Sequence, residues 1–355
     1  MAIPSSGFNT VFPADSLEFC PHPQATDVFV CGTYKLNKRG DEDENSPAQQ
    51  HRQGQCLVFR TYDADGTDEP TFNQVQKFDF PAIPDMKWCH TSHSTEPILA
   101  VADSEGGVTT LQWKCHETLE KMQFITCAEN DSLCLSLDWS SRRIPQSSLG
   151  NLVVSVSDGS LHLLRPADAG DLIHTNTWHA HDYEPWIAAW NHWDTNIIYS
   201  GGDDLKLKAW DIRSGFSQPM FVNRRFDAGV TTIQNHPFIE HLLAVGSYNN
   251  TVYLYDMRKP LVAMSQLDVG GGVWRVKWHP HENRNRDLLV ACMRDGFKVL
   301  QYNTSMDQGQ VIQRFDAHQS LAYGVDWSLA NPSANGKSIV GSCSFYDHVL
   351  HIWRA

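Results

Sequence analysis

Short runs of alternating apolar residues, each ending on or near a tryptophan, return seven times along the chain. The first run of each unit reads SLEFCP (Ser16 to Pro21), MKWCH from Met86, LSLDWS from Leu135, WIAAWNH from Trp186, TTIQNHP from Thr231, WRVKWHP from Trp274 and YGVDWS from Tyr323. After a gap, each is followed by further apolar runs around a Gly, Ser or Asp turn, as in NLVVSVSDGSLHLL, NIIYSGGDDLKLKAWD, HLLAVGSYNNTVYLYD and DLLVACMRDGFKVL. A period of two bounded by turn residues predicts β-strands. Residues aligned with Trp278 fall at Phe19, Trp88, Trp139, Trp190, Asn235 and Trp327, so one register runs through all seven units.

Such a repeat predicts an all-β chain. A β-sandwich is the alternative, but seven self-similar units, one of them closing on Trp210-Asp211, favour a seven-bladed β-propeller of WD40 type spanning residues 1–355 as a single domain. The last unit ends with Val349 to Trp353 and only Arg354 and Ala355 follow, so its outer strand has to come from elsewhere. Phe8 to Phe12, ahead of the first unit, is placed to supply it and to close the ring by covering a bare edge. A polar insertion, Asn37 to Gln55, interrupts the first unit between its second and third strands, on the face where such connections gather. Smaller insertions at Ser141 to Leu149, His281 to Asp287 and Leu329 to Lys337 belong to the opposite face.

Composition narrows the class. Apolar residues make up 41% of the chain and charged ones 19%, enough for a packed core and too few charges for a disordered chain. A formal charge of −13 argues against nucleic acid as partner, since Lys and Arg supply that affinity. Nine cysteines without a C-x-x-C pair suit reduced thiols, the N-terminus has no basic start and apolar run, and no stretch reaches the length of a membrane span. The expectation is a cytoplasmic protein with no membrane partner.

Candidate chemistry is sparse. His179 with His181, and His279 with His281, form H-x-H pairs without a third ligand at recognisable spacing, so neither metal nor cofactor is expected. DADGTDEP (Asp63 to Pro70) lacks calcium-loop spacing and reads as a turn. His318, Asp347 and Trp353 match the His, Asp and Trp that hydrogen-bond within a blade. His181 has two readings, the same structural set with Asp204 and Trp210, or a base in the dense run HAHDYEPW (His179 to Trp186). Stacking the seven first strands in register sets Trp186, Trp274 and Tyr323 at equivalent points with Asp15 at one channel mouth. Three ring faces and a carboxylate suit a quaternary ammonium; aromatics that merely plug the hub are the alternative.

The motifs ADSLEFCP, VFVCGTYKL, EPWIAAW, GGDDLKLKAWDIR, GGGVWRVKWHP, ACMRDGFKVL and LAYGVDWS touch most units, and through them the chain resembles the WD-repeat diphthine methyl ester hydrolases of the diphthamide pathway. EPWIAAW, GGGVWRVKWHP and ACMRDGFKVL together are the distinctive part. The resemblance implies a carboxylic ester hydrolase that removes the methyl ester from methylated diphthine on a histidine of translation elongation factor 2, giving diphthine for the final amidation. It also implies a trimethylammonium on the substrate, which gives Trp186, Trp274 and Tyr323 a ligand. Ester hydrolysis needs a base and oxyanion donors. By residue type these are His181 with Asp182 or Glu184 to orient it, Asp15 as a second carboxylate, and the backbone amides of Gly270 to Gly272, Gly271 and Gly272 among them. A non-catalytic scaffold that binds a partner protein on its top face is the rival reading, because fold alone does not fix function.

Overall fold

A computed structural model describes residues 7–37, 51–63, 69–91, 96–115, 117–129, 131–145, 147–167 and 170–355. They form seven antiparallel sheets in a ring, a seven-bladed β-propeller in which every strand pairs with its sequence neighbour, the last blade's outer strand excepted. The innermost strands are Ala14–Phe19, Asp85–Trp88, Cys134–Trp139, Ile187–Trp190, Val230–Asn235, Arg275–Trp278 and Ala322–Trp327. Most inner-strand residues are buried on both faces, whereas outer strands such as Leu119–Thr126 alternate buried and exposed positions. A blade one sheet thick has two apolar faces and can cover neither alone, so each packs on its neighbours. Seven apolar clusters result, one at each interface between adjacent blades.

The tryptophan register has a second purpose besides bulk. Trp139, Trp190 and Trp327 each donate their indole N–H to a carbonyl in the preceding blade, of Lys87, Asp138 and Lys277, at 2.9–3.0 Å. Asn235, the exception in the repeat, makes the same link to the Trp190 carbonyl through its amide at 2.7 Å. In the reverse sense, Asp85, Asp138 and Asp326 accept backbone N–H groups of the next blade, from Leu137, Trp190 and Phe19. A buried hydrogen bond of this kind contributes about 0.5–1.5 kcal/mol, and more when one partner is charged.

The N-terminus closes the ring as expected, over a shorter span. Phe8–Asn9 pairs with Val349–Arg354, Phe8 facing Leu350 and Asn9 facing Val349. The strand stops there because Val11 takes a left-handed φ of 68° and the Phe12 N–H turns back to the Thr10 carbonyl. Gly7, at φ +86°, enters against the His351 and Val349 side chains, where a Cβ would collide. The Phe8 ring meets Phe59 edge-on at 5.0 Å, joining blade seven to blade one.

Of the Asn37 to Gln55 insertion, residues 38–50 lie outside the described residues; Lys35–Leu36, just ahead of it, pairs antiparallel with Arg52–Gln53 near its end. Residues 64–68 of the Asp63 to Pro70 turn lie outside them as well. All nine cysteines are free. Among the described residues no helix is long and apolar enough to cross a membrane.

Candidate functional site

The start of an innermost strand and the turn between second and third strands meet at one end of the channel. There Trp186, Trp274 and Tyr323 come together, as their register predicts, joined by Tyr248, Met293 and Phe345. The rings pack on one another. Tyr323 stacks on Trp274 with centroids 4.7 Å apart at 23°, and Trp186 meets Trp274 edge-on at 5.6 Å. Tyr248 closes on both at 6.4 and 6.2 Å, and the Arg275 guanidinium lies 5.2 Å from the Trp274 ring. Trp274 is thus enclosed at 8% exposure, while Trp186, Tyr248 and Tyr323 stay half-buried. The arrangement is an aromatic platform with Trp274 as its floor rather than three walls around a space. A cation approaching it meets the outer ring faces of Trp186, Tyr248 and Tyr323.

Two carboxylates border the platform. Asp15 is buried, and its Oδ1 has no hydrogen-bond partner among the described residues. Burial raises its pKa to about 7, opposed by the charge of Arg275, reinforced by Asp85 and opposed again by the Trp274 indole. Asp203 lies near Trp186 and Tyr248, and burial raises its pKa too, against the Trp186 indole N–H and with the charges of Glu184 and Asp204. Carboxylates at an aromatic opening can attract a cation, and Asp15, raised to about 7, can also exchange a proton near neutrality.

The other candidates lie elsewhere in function or in space. His181 is wholly buried within blade four. Its Nδ1 is 2.7 Å from Asp204 Oδ1 and its Nε2 is 2.7 Å from Ser200 Oγ, which accepts the Trp210 indole N–H at 2.9 Å. With that hydroxyl donating to Nε2, the proton on Nδ1 points to Asp204 and the ring has no lone pair to offer a substrate. Burial also lowers its pKa, against the bond and charge of Asp204. The blade-binding reading therefore holds for His181 and the base reading does not. Asp182 does not orient it either: exposed, it pairs with Lys206, whose bond holds its carboxyl below the usual range. Glu184 projects into solvent, and its backbone carbonyl fixes the turn at Asp203 by accepting that N–H at 3.0 Å. In blade seven His318 bonds Ser342 and Ser344, with Trp353 on Ser342 and Asp347 on Ser344, as the structural reading requires.

The glycine run serves packing. A Cβ on Gly271 would stand 2.1 Å from the Cys292 carbonyl oxygen, so only glycine lets this connection press on the turn of blade six; Gly272 rests beside Met293 in the same contact. The Gly270 amide already donates to Asp268 at 2.8 Å. An oxyanion pocket built on these amides finds no support in that geometry.

Strand register alone missed Asp203, Tyr248, Met293 and Phe345. All four follow a second strand by one or two residues, in SGGDD, GSYNN, ACMRD and CSFYD, so the signal was present in the turns between second and third strands.

Comparison with known proteins bears on what this platform serves. No family model matches the chain. It is 38% identical to diphthine methyltransferase of Mus musculus over 90% of its length and 68% of the relative's. It is 34% identical to the diphthine methyltransferase homolog of Dictyostelium discoideum, covering 96% of both, and 31% identical to the Schizosaccharomyces pombe diphthine methyltransferase, covering 99% and 98%. Among solved structures, a chain of the mitotic checkpoint complex superposes with a TM-score of 0.67 at 18% identity over the whole chain and 93% of its own, which shows the propeller fold alone. The relatives' names denote methyl transfer and oppose the ester hydrolase that the motifs led us to expect. The distinctive motifs are blade and platform segments rather than reacting groups, so they carried kinship without carrying the reaction. At this identity and coverage, the chain belongs to the diphthine methyltransferase family of the diphthamide pathway.

Proposed function

We propose that this chain acts on the diphthine side chain of elongation factor 2, in the methyl-transfer chemistry for which its relatives are named, and that the aromatic platform receives the side chain's trimethylammonium. The observation that carries the reading is the pairing of half-buried Trp186, Tyr248 and Tyr323 with the carboxylates of Asp15 and Asp203 at one mouth of the channel. A quaternary ammonium donates no hydrogen bond, so ring faces and nearby negative charge are what distinguish it from a neutral group of equal size. Exposed Tyr346, which packs on Phe345, widens the apolar surface beside the platform, a feature that suits docking of a protein. Nine free thiols suit a cytosolic setting for the encounter.

The test is to incubate the purified chain with elongation factor 2 carrying diphthine in defined methylation states, with and without a methyl donor, and to follow the intact mass. A change by one methyl group that depends on Trp186 supports the reading. Stable binding with no mass change under any condition would replace it with the scaffold.

A further inference from the structure

The rings at the mouth do not stop at the mouth. Beyond the Tyr323 ring stacked on Trp274, Phe345 follows at 5.2 Å from Tyr323, and Tyr346 at 4.9 Å from Phe345. Tyr34 of blade one approaches Phe345 at 6.3 Å. This ridge runs from the platform over blade seven toward blade one and ends on Tyr346, which is 71% exposed. Its end is anchored, since the Tyr346 N–H donates to Ser320 Oγ at 2.9 Å. A single ammonium is attracted by rings within about 6 Å of it. Tyr346, two ring contacts beyond Tyr323, therefore serves something larger.

The turn that enters blade one points the same way on separate grounds. Val11 is β-branched, holds a left-handed φ of 68° and is 69% exposed. The turn is clamped from several sides. Asn9 Oδ1 accepts the Val11 N–H at 2.8 Å, the hydroxyl of buried Thr10 donates to the Phe12 carbonyl at 2.6 Å, and the Thr10 N–H reaches the carbonyl of His348, two residues past Tyr346, at 2.9 Å. The Pro13 carbonyl accepts the Tyr34 N–H at 2.8 Å, which ties the turn to the ridge. Glycine would make such a turn without strain. Valine adds an apolar side chain that the fold leaves largely in water, and strain held in this way collects where a surface is used.

Across the mouth the same end of the propeller is built differently. The turns of blades two to four, with the connections between those blades, present the exposed carboxylates Glu105, Glu129, Asp131, Asp158 and Glu184. Their one lysine among the described residues, Lys206, is held by Asp182. Resting on the reading that the platform receives a modified side chain, we propose that the ridge of Phe345, Tyr346 and Val11 docks the polypeptide beside that side chain. That segment of the substrate protein is apolar where it crosses blades seven and one and basic where it crosses blades two to four. Rings on an anchored backbone give contact area at little ordering cost, and the carboxylates reject the reversed orientation, which would lay the basic flank on the ridge.

Binding of elongation factor 2, with and without diphthine, to the whole chain tests the surface, with tetramethylammonium as the small probe. Tyr346→Ala is expected to weaken both forms of the protein about tenfold. Val11→Gly keeps the turn, because glycine suits its φ, and is expected to weaken both about threefold. Neither variant changes the affinity for tetramethylammonium. Glu105→Lys weakens both forms at low salt, and the loss shrinks as salt is raised. Trp186→Leu gives the opposite pattern, losing tetramethylammonium and the preference for the modified form. Wild-type affinity for elongation factor 2 in both ridge variants, with the Trp186 variant defective, overturns the docking surface and leaves the platform reading standing. Equal loss of protein and tetramethylammonium in the ridge variants also overturns it, because the ridge would then belong to the ammonium site. Failure of the wild-type chain to bind either form removes the platform reading and the docking surface together.

Discussion

The Tyr323 ring lies on the Trp274 ring, centroids 4.7 Å apart and planes 23° from parallel, so no cation fits between them. The two indoles at the mouth therefore have different tasks. Trp186→Leu is expected to weaken binding of a trimethylammonium ligand by about 0.5–2 kcal/mol and to erase its preference over a neutral tert-butyl analogue. Trp274→Leu is expected to lower stability by about 2–4 kcal/mol, because it empties the floor under three rings. Competition binding with the two analogues and urea unfolding of both variants separate the tasks. Lost charge discrimination in the Trp274 variant with stability unchanged would return the cation to Trp274.

Locking of His181 into its blade has a measurable sign. Removing the ring in His181→Ala strands Asp204 and Ser200 in a buried setting, at an expected cost of about 1–3 kcal/mol. Its pKa is lowered by burial, and His162, His236 and His318 are lowered likewise, to about 4, 4 and 3. Below their ordinary value near 6.5 the unfolded chain takes up protons that the folded chain refuses. The stability that rests on these neutral rings is thus complete above about pH 6.5 and falls away as acid is added. Urea midpoints measured from about pH 7.5 down to pH 5 should decline. A flat profile would mean that these rings can charge in place.

Much of this arrangement can be read in the one-dimensional pattern, for a physical reason. A repeat that must pack against copies of itself fixes register, so Trp88, Trp139, Trp190 and Trp327 announced seven inner strands, and register alone brought Trp186, Trp274 and Tyr323 to one mouth. Hydrogen bonding between turns obeys no such period. Asp204, which holds His181, lies 23 residues away in a different turn, and Asp203 and Tyr248 reach the platform from turns of two different blades. The dense acidic run beside His181 suggested a base because proximity in sequence was mistaken for proximity in space. Lys206, beyond that run, neutralises Asp182 instead.

Ring closure rests on few residues, which makes it easy to probe. Phe8 and Asn9 supply the only strand pairing that joins the N-terminus to Val349–Arg354 among the described residues, and Phe8 also packs on Phe59 and Phe72. Deleting the first twelve residues should bare the edge of the last blade, lower the melting midpoint and promote association through that edge. Phe8→Ala, which keeps the backbone pairing, should cost about 1.5–3 kcal/mol. An unchanged midpoint in the truncated chain would show that blade seven holds without its fourth strand.

Asp15 links the platform to pH. Its carboxyl is buried beside Trp274 and Tyr323, and burial raises its pKa to about 7, against the opposing charge of Arg275. Near neutrality it is therefore divided between a neutral acid and a carboxylate. Only the carboxylate attracts a trimethylammonium, so affinity should rise as pH increases through about 7 and level off once ionisation is complete. By linkage, the bound cation draws the pKa of Asp15 downward by the same free energy that ionisation adds to binding. A single charge at the edge of a partly screened site is worth about 1 kcal/mol, roughly a fivefold change in dissociation constant across the transition. Asp15→Asn keeps the shape and removes the titration, so its affinity should match the low-pH limit of the wild type and stay constant with pH. The neutral tert-butyl analogue should show no rise in either protein. If wild type and Asp15→Asn share one pH profile for the charged ligand, Asp15 does not face the bound cation, and Asp203 becomes the carboxylate that does.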